Sequence, residues 1–297
     1  MTLEQLTIFI AVAERQHITR AAEAVGLTPS AVSSAIRLLE TNHDVLLFDR
    51  VGRGIELTGA GRLFLEEAKA TVARANRAAQ MLAELGGLKR GKLNVQASQT
   101  VASHWLPQQL MRFHALYPDI ELALTIGNST SVADAVISGI AELGFVEADV
   151  SSDKLARTRV AEDIMVIVAA PGHPILTPQD DWPAALVATT WIMREHGSGT
   201  RAYFEETMRA FGIASEMLKI ALTLPSNEAV LSAVLQGHCA AAVSHSTAAP
   251  LIDNGSLQAA PIRLTSRHFS ALRHRERRLS EVARQFLKLS GQNAAFG

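Results

Sequence analysis

The chain is poor in the features that mark several protein classes. One cysteine, Cys239, in 297 residues excludes an intramolecular disulfide framework and fits a reducing compartment. No stretch approaches the roughly 18 uninterrupted apolar residues of a membrane-spanning helix, so no membrane partner is expected. The opening MTLEQLTIFIAVAERQ carries an acid at Glu4 and no basic segment ahead of its apolar residues. No export signal is therefore expected, and the chain is placed in the cytoplasm. Excess charge is lacking too, with a net charge of −1. Residues 1–92 hold 12 Lys and Arg against 10 Asp and Glu, and the remainder holds 16 against 19. Contact with a polyanion must therefore come from local placement of cations such as Arg20, Arg37, Arg50 and Arg53.

Enzyme signatures are missing as well. There is no G-x-S-x-G elbow and no G-x-x-x-x-G-K-[ST] loop, and Gly59-Ala60-Gly61 lacks the preceding long strand and third glycine of a dinucleotide site. His238, Cys239 and His245 have metal-capable atoms but no fourth ligand at a suitable spacing. No catalytic residue, metal or other cofactor is expected.

What is present is a soluble, 48% hydrophobic chain long enough for two or three domains. In LEQLTIFIAVAER, Leu6, Phe9, Ile10 and Ala13 fall in helical register, and ITRAAEAVG reads as a second helix capped by Thr19 and stopped by Gly26. TPSAVSSAIRLL then offers Thr28 as N-cap and Pro29 at the first helical position. Val32, Ala35, Ile36 and Leu39 form an apolar stripe, and Ser30, Ser33, Ser34 and Arg37 a polar stripe opposite it. Two helices joined by a short Gly-containing turn, the second with an exposed polar stripe, make the helix-turn-helix pattern. DVLLFDRVGRGIELT places two apolar runs around Gly52-Arg53-Gly54, a hairpin or wing with a cationic tip.

From Thr58 a long helix follows, in which Leu65, Ala68, Val72, Ala75, Ala79 and Leu82 keep the 3-4 spacing of a coiled-coil seam and predict a dimerisation helix. GGLKRGK at 86–92 reads as a hinge. Strands then alternate with helices: KLNVQAS, IELALTIGN, AELGFVEA, DIMVIVAAP, ATTWIMRE, KIALTLP and CAAAVSH, ending in a helix over RERRLSEVARQFLKLS. That alternation predicts α/β architecture in two similar lobes, with ligands beyond the carboxyl ends of the strands.

The order of these elements closely resembles the LysR-type transcriptional regulators over essentially the whole chain. AAEAVGLTPSAVSSAIRLLE, LFDRVGRGIELTGAG, ASQTVASHWLP, REHGSGTR and LPSNEAVLSAVLQG carry the resemblance. It implies an all-α winged helix-turn-helix with a long linker helix, followed by a two-lobed, periplasmic-binding-protein-like α/β domain. The boundaries expected are 1–58 for the DNA-binding domain, 59–88 for the linker helix, 89–92 for the hinge and 93–297 for the effector domain. Lobe I would take about 93–163 and 268–297, and lobe II about 164–267. The partners implied are double-stranded DNA, a second copy of the chain joined through the linker helix, usually a tetramer, and a small effector between the lobes.

On that reading Thr28, Pro29, Ser30, Ser33, Ser34, Arg37, Arg50 and Arg53 face DNA, short serines letting the helix sit close to the major-groove floor. The family more often has Gln at position 29 and a longer residue at 34, so fewer base-reading groups are present here. For the effector, the turn Gly197, Ser198, Gly199, Thr200 at a helix start offers free N–H groups and a favourable dipole to an anion. Ser98, Gln99 and Thr100, then Asn128 and Ser129, then Ser226 stand at comparable strand-to-helix junctions, with Thr100 expected opposite the Gly197–Thr200 turn. The resemblance adds Glu147, to be paired with Arg194 or Arg201 or to select a protonated ligand. His196 stands where relatives often have Pro. The subgroup resembles sensors of sulfur oxyanions and of phosphorylated carbon-fixation intermediates, so a small oxyanion is expected. The rival class is a solute-binding or metabolite-binding protein on the same two lobes, which would have no use for residues 1–58.

Overall fold

In a computed structural model, residues 1–51, 54–85 and 91–291 are described. Two compact units divide the chain, the first made of Met1–Gly86 with Ser138–Ile140 and the second of Gly87–Ile137 with Ala141–Gly297.

The first unit opens with α1 (Leu3–Arg15), started by a reciprocal capping box between Thr2 and Gln5. Helix α2 (Ile18–Val25) follows, and Gly26 stops it at φ +69. Its cap is His17, whose Nδ1 accepts the N–H of Arg20, and not Thr19; the helix starts two residues earlier than expected, leaving Thr19 inside the first turn. Helix α3 (Pro29–His43) is capped by Thr28 as the sequence predicts. The wing is β1 (Phe48–Val51) against β2 (Gly54–Leu57), antiparallel. Glu40 ties it to α3 by accepting the N–H groups of Leu47 and Phe48 at 2.8 and 3.1 Å.

Thr58 then caps α4 (Gly59–Leu85) by accepting the N–H of Gly61. The core joins Phe9, Val12, Val32, Ile36 and Leu39, with Phe9 at 5.4 Å from Phe48 and 4.9 Å from Phe64 between ring centroids. The α4 seam is divided by this core. Leu65, Ala68 and Val72 pack on the unit's own interior, because α1 lies along that stretch, whereas Ala75 is half-buried and Ala79 exposed.

The second unit runs β3 (Gly91–Ser98), α5 (Gln99–His104), α6 (Leu106–Leu116), β4 (Ile120–Gly127), α7 (Ser129–Ser138), β5 (Leu143–Val146), β6 (Leu155–Ala169), α8 (Trp182–Ala188), β7 (Thr190–Arg194), α9 (Gly199–Ala210), β8 (Lys219–Leu224), α10 (Asn227–Val234), β9 (Ala240–Ser244), α11 (His245–Asp253), β10 (Gln258–Ala259), β11 (Ser266–His274) and α12 (Glu281–Gly291). Within the expected hinge, 89 and 90 lie outside the described residues, while Gly91 and Lys92 already pair with Ile120 and Glu121. The final helix begins at Glu281 and not near Arg275, because Ser280 caps it by accepting the N–H of Ala283.

Strand order is β4-β3-β5-β11-β6-β9-β7-β8, with β10 added to β6. Strand β6 starts eight residues before the run predicted at Asp163. Its first part pairs with β11 and its last five residues with β9, so one strand belongs to both halves of the sheet. One half buries Leu93, Val95, Phe113, Phe145 and Phe286. The other covers its two faces separately, with Trp191, Phe204 and Met208 on one and Val230, Val234 and Val243 on the other. Each large side chain so buried contributes about 1.5–3 kcal/mol.

Candidate functional site

In the first unit, α3 presents Ser30, Ser34 and Arg37 to solvent, with Ser33 half-buried and Pro29 exposed at the helix start. Thr28 is fixed twice, its Oγ1 accepting the N–H of Ala31 at 3.2 Å and sharing a hydrogen bond of 3.0 Å with Ser30 Oγ. Val32, Ile36 and Leu39 are buried on the opposite side. The stripe therefore leaves short hydroxyls and one guanidinium largely open to solvent. Arg50 is exposed on β1, opposite Ile55. Arg53 lies outside the described residues.

In the second unit, chain topology brings strand ends and helix starts of the two half-sheets together. Gln99 reaches across by accepting the backbone N–H of Asn227 at 2.7 Å and donating to Glu228 at 2.8 Å. Asn227 donates to Thr100 Oγ1 at 3.2 Å and accepts from Arg194 Nη1. Arg194 also forks onto Glu195 at 2.8 and 3.0 Å, and Arg201 is held by Glu205 at 2.7 Å and the Arg194 carbonyl at 3.2 Å. Ser226 accepts the N–H of Ala229 as the cap of α10. Thr100 is thus engaged by Asn227 at the start of α10.

That turn faces α7 and the end of β5. Thr130 N–H donates to the Gly197 carbonyl at 3.2 Å, and Asn128 Nδ2 donates to the His196 carbonyl at 3.4 Å and to Glu195 Oε1 at 3.4 Å. Gly197 has φ +86, and at Gly199 a Cβ would lie 2.7 Å from Ser129 Oγ and 2.8 Å from Glu147 Cγ. Glycine is required at 197 by conformation and at 199 by close approach. Glu147 accepts a hydrogen bond from Ser98 and pairs with neither Arg194 nor Arg201, whose guanidiniums are held by Glu195 and Glu205. Ser98, Ser129, Glu147, Ser198 and Thr200 are all buried, and His196 is exposed. The hydroxyls of Ser129 and Ser198 have no hydrogen-bond partner among the described residues. Ser198 occupies the cap position of α9 without capping it.

Sequence reasoning missed the floor beside this cluster. Arg267 donates to Asp163 at 2.7 Å and to Thr200 Oγ1 at 3.4 Å, and Asp163 accepts from Ser244 at 2.5 Å, all buried. The available signal was a charged residue inside each of two strands.

Two family models match the chain: a bacterial regulatory helix-turn-helix protein of the lysR family over residues 3–62, and a LysR substrate binding domain over residues 86–295. The chain is 32% identical over 289 residues to an uncharacterized HTH-type transcriptional regulator, YeiE, of Escherichia coli, covering 97% of this chain and 96% of that one. It is 30% identical over 288 residues to the HTH-type transcriptional activator CmpR of Synechocystis sp., covering 96% and 93%. The crystal structure of CbnR, a LysR family transcriptional regulator, superposes with a TM-score of 0.73 at 21% identity over 99% of each chain. Read with a winged helix-turn-helix in one unit and paired half-sheets meeting at helix starts in the other, these matches establish that the chain belongs to the LysR family of transcriptional regulators.

Proposed function

We propose that the protein acts in the cytoplasm as a homo-oligomeric regulator that binds double-stranded DNA through α3 and the wing and is switched by a small oxyanion at the start of α9. The observation that carries the effector reading is the pair of buried, unpartnered hydroxyls of Ser129 and Ser198 beside the first turn of α9. Buried hydroxyls without partners are rare, and a helix start adds N–H groups and a favourable dipole for an anion. Glu147 selects among anions. Its carboxylate repels a fully ionised ligand but accepts from one carrying a proton, so hydrogen phosphate or hydrogen sulfite fits better than sulfate.

Self-association is supported by two exposed apolar edges at opposite ends of the sheet, Met111, Leu116 and Ile126 beside β4, and Ile220 and Leu222 on β8. No helix among the described residues is long and apolar enough to cross a membrane.

Calorimetric titration of the full chain with phosphate, sulfite and sulfate tests the effector site. The expected result is binding of a proton-bearing anion, with affinity falling about 10- to 150-fold in Ser129→Ala and Ser198→Ala. Wild-type affinity in both variants would place the ligand elsewhere. A salt-dependent shift of the protein's own upstream DNA tests the DNA reading.

A further inference from the structure

The wing is too small to hold its own direction. Strands β1 and β2 pair over four residues each, and a two-stranded hairpin of that size is marginal in water. Its direction is therefore set by whatever grips its base, the segment Leu46–Phe48. Three groups do so. Glu40, in the last turn of α3, offers one carboxylate oxygen to the N–H groups of both Leu47 and Phe48, at 2.8 and 3.1 Å. From the start of α4, Thr58 donates its hydroxyl to the Leu46 carbonyl at 2.8 Å and its N–H to the Leu47 carbonyl at 3.0 Å. The Phe48 ring packs on Phe9.

Of these groups only Glu40 belongs to the helix that carries Arg37, three residues before it. Arg50 follows Phe48 on the same face of β1, about 7 Å further along the strand. A tilt at the base of the wing is thus carried outward to Arg50, and one carboxylate links the two arginines. A negative charge beside a surface meant for a polyanion is unfavourable, but a carboxylate holds backbone N–H groups more strongly than a neutral acceptor does.

We propose that Glu40 is a positioning residue for DNA binding: without touching DNA, it fixes the angle between α3 and the wing so that Arg37 and Arg50 reach phosphates of one duplex together. The role rests on the DNA-binding function proposed for α3 and the wing.

Two variants separate reach from charge. Glu40→Gln keeps an oxygen that can accept from both N–H groups and loses the charge, whereas Glu40→Asp keeps the charge and is one carbon too short. In gel shifts of the full chain on the protein's own upstream DNA, Glu40→Asp should weaken binding about tenfold and lower the salt-dependence slope by about one unit, the contribution of one phosphate contact. Glu40→Gln should stay within about threefold of wild type with the slope unchanged. Arg50→Ala should also weaken binding. In that background Glu40→Asp should cost less than about threefold, because the contact it misplaces is already gone. A role in stability alone would instead lower the melting temperature, leave the slope as it is, and cost the same with or without Arg50. The proposal is overturned by additive losses in the double variant, by an unchanged slope in Glu40→Asp, or by equal losses in Glu40→Gln and Glu40→Asp. Absence of any shift by the wild type would defeat the DNA-binding function itself, and this role with it.

Discussion

Asp163 and Arg267 stand opposite each other on neighbouring strands, and their side chains meet at 2.7 Å where β6 passes from one half-sheet to the other, both buried. A buried pair contributes little net stability when intact, but breaking it strands a charge. Asp163→Asn should therefore destabilise the second unit by about 3–5 kcal/mol. Adding Arg267→Met should recover part of the loss, and urea unfolding of the single and double variants measures the coupling. Equal instability in both would mean that the pair is not coupled.

The proposed DNA contacts lie on the outer stripe of α3. Arg37→Ala should weaken operator binding and lower the salt-dependence slope by about one unit, while leaving the melting curve unchanged. Ser33→Ala should weaken binding less, since Ser33 is half-buried. Ile36→Asp, by contrast, places an unpaired charge at a position 7% exposed and should unfold the unit. Circular dichroism beside a gel shift separates the two outcomes.

Gly61 is fixed by space. A Cβ there would overlap the Leu47 carbonyl oxygen and sit 2.8 Å from Leu57 Cδ2, where the wing closes on the first turn of α4. Gly61→Ala should cost about 1–3 kcal/mol in thermal unfolding, despite alanine's better helix propensity. A neutral or stabilising effect would show that the turn can yield.

For assembly, the revealing positions on α4 are those its own unit leaves uncovered. Ala75→Glu together with Ala79→Glu puts like charges on both partner helices and should dissociate the dimer in sedimentation at micromolar protein. Val72→Glu would be ambiguous, since Val72 also packs on the unit's own core.

Burial holds the His173 imidazole below its ordinary pKa of 6.5. The neutral ring accepts the N–H of Ile175 at 3.2 Å. Near pH 6 the unfolded chain binds more protons than the folded one, so the stability this residue gives is present above 6.5 and declines as pH falls through the lowered value. His173→Asn, which keeps an acceptor that does not titrate, should flatten that part of the stability profile in melts between pH 5 and 7.

The sequence revealed elements with strong local signals: the Thr28-Pro29 start of α3, the Gly26 stop, and strand-to-helix junctions such as Ser226-Asn227. It hid what depends on distant partners. Strand β11 and the first half of β6 carry charges at Arg157, Arg159, Glu162 and Arg267, because much of that ribbon faces water, so hydrophobic alternation is weak. The inward use of Arg267 could be read only once Asp163 stood beside it. Likewise α4 carries one periodicity but meets two environments, and spacing alone cannot say where α1 stops covering it.

The unbroken passage of β6 through both half-sheets has a consequence for biosynthesis. Neighbouring β5 ends at Val146, yet the strand that completes pairing between it and β6 begins only at Ser266. At the usual ribosomal pace, on the order of ten seconds pass between the emergence of those two segments. During that wait the nascent chain carries two unpaired strand edges, and the half-sheet that holds β5 cannot be finished until β11 arrives. The second unit should therefore mature after translation is nearly complete and lean on chaperones until then, so a messenger truncated before codon 266 would yield an aggregating product, not a usable half.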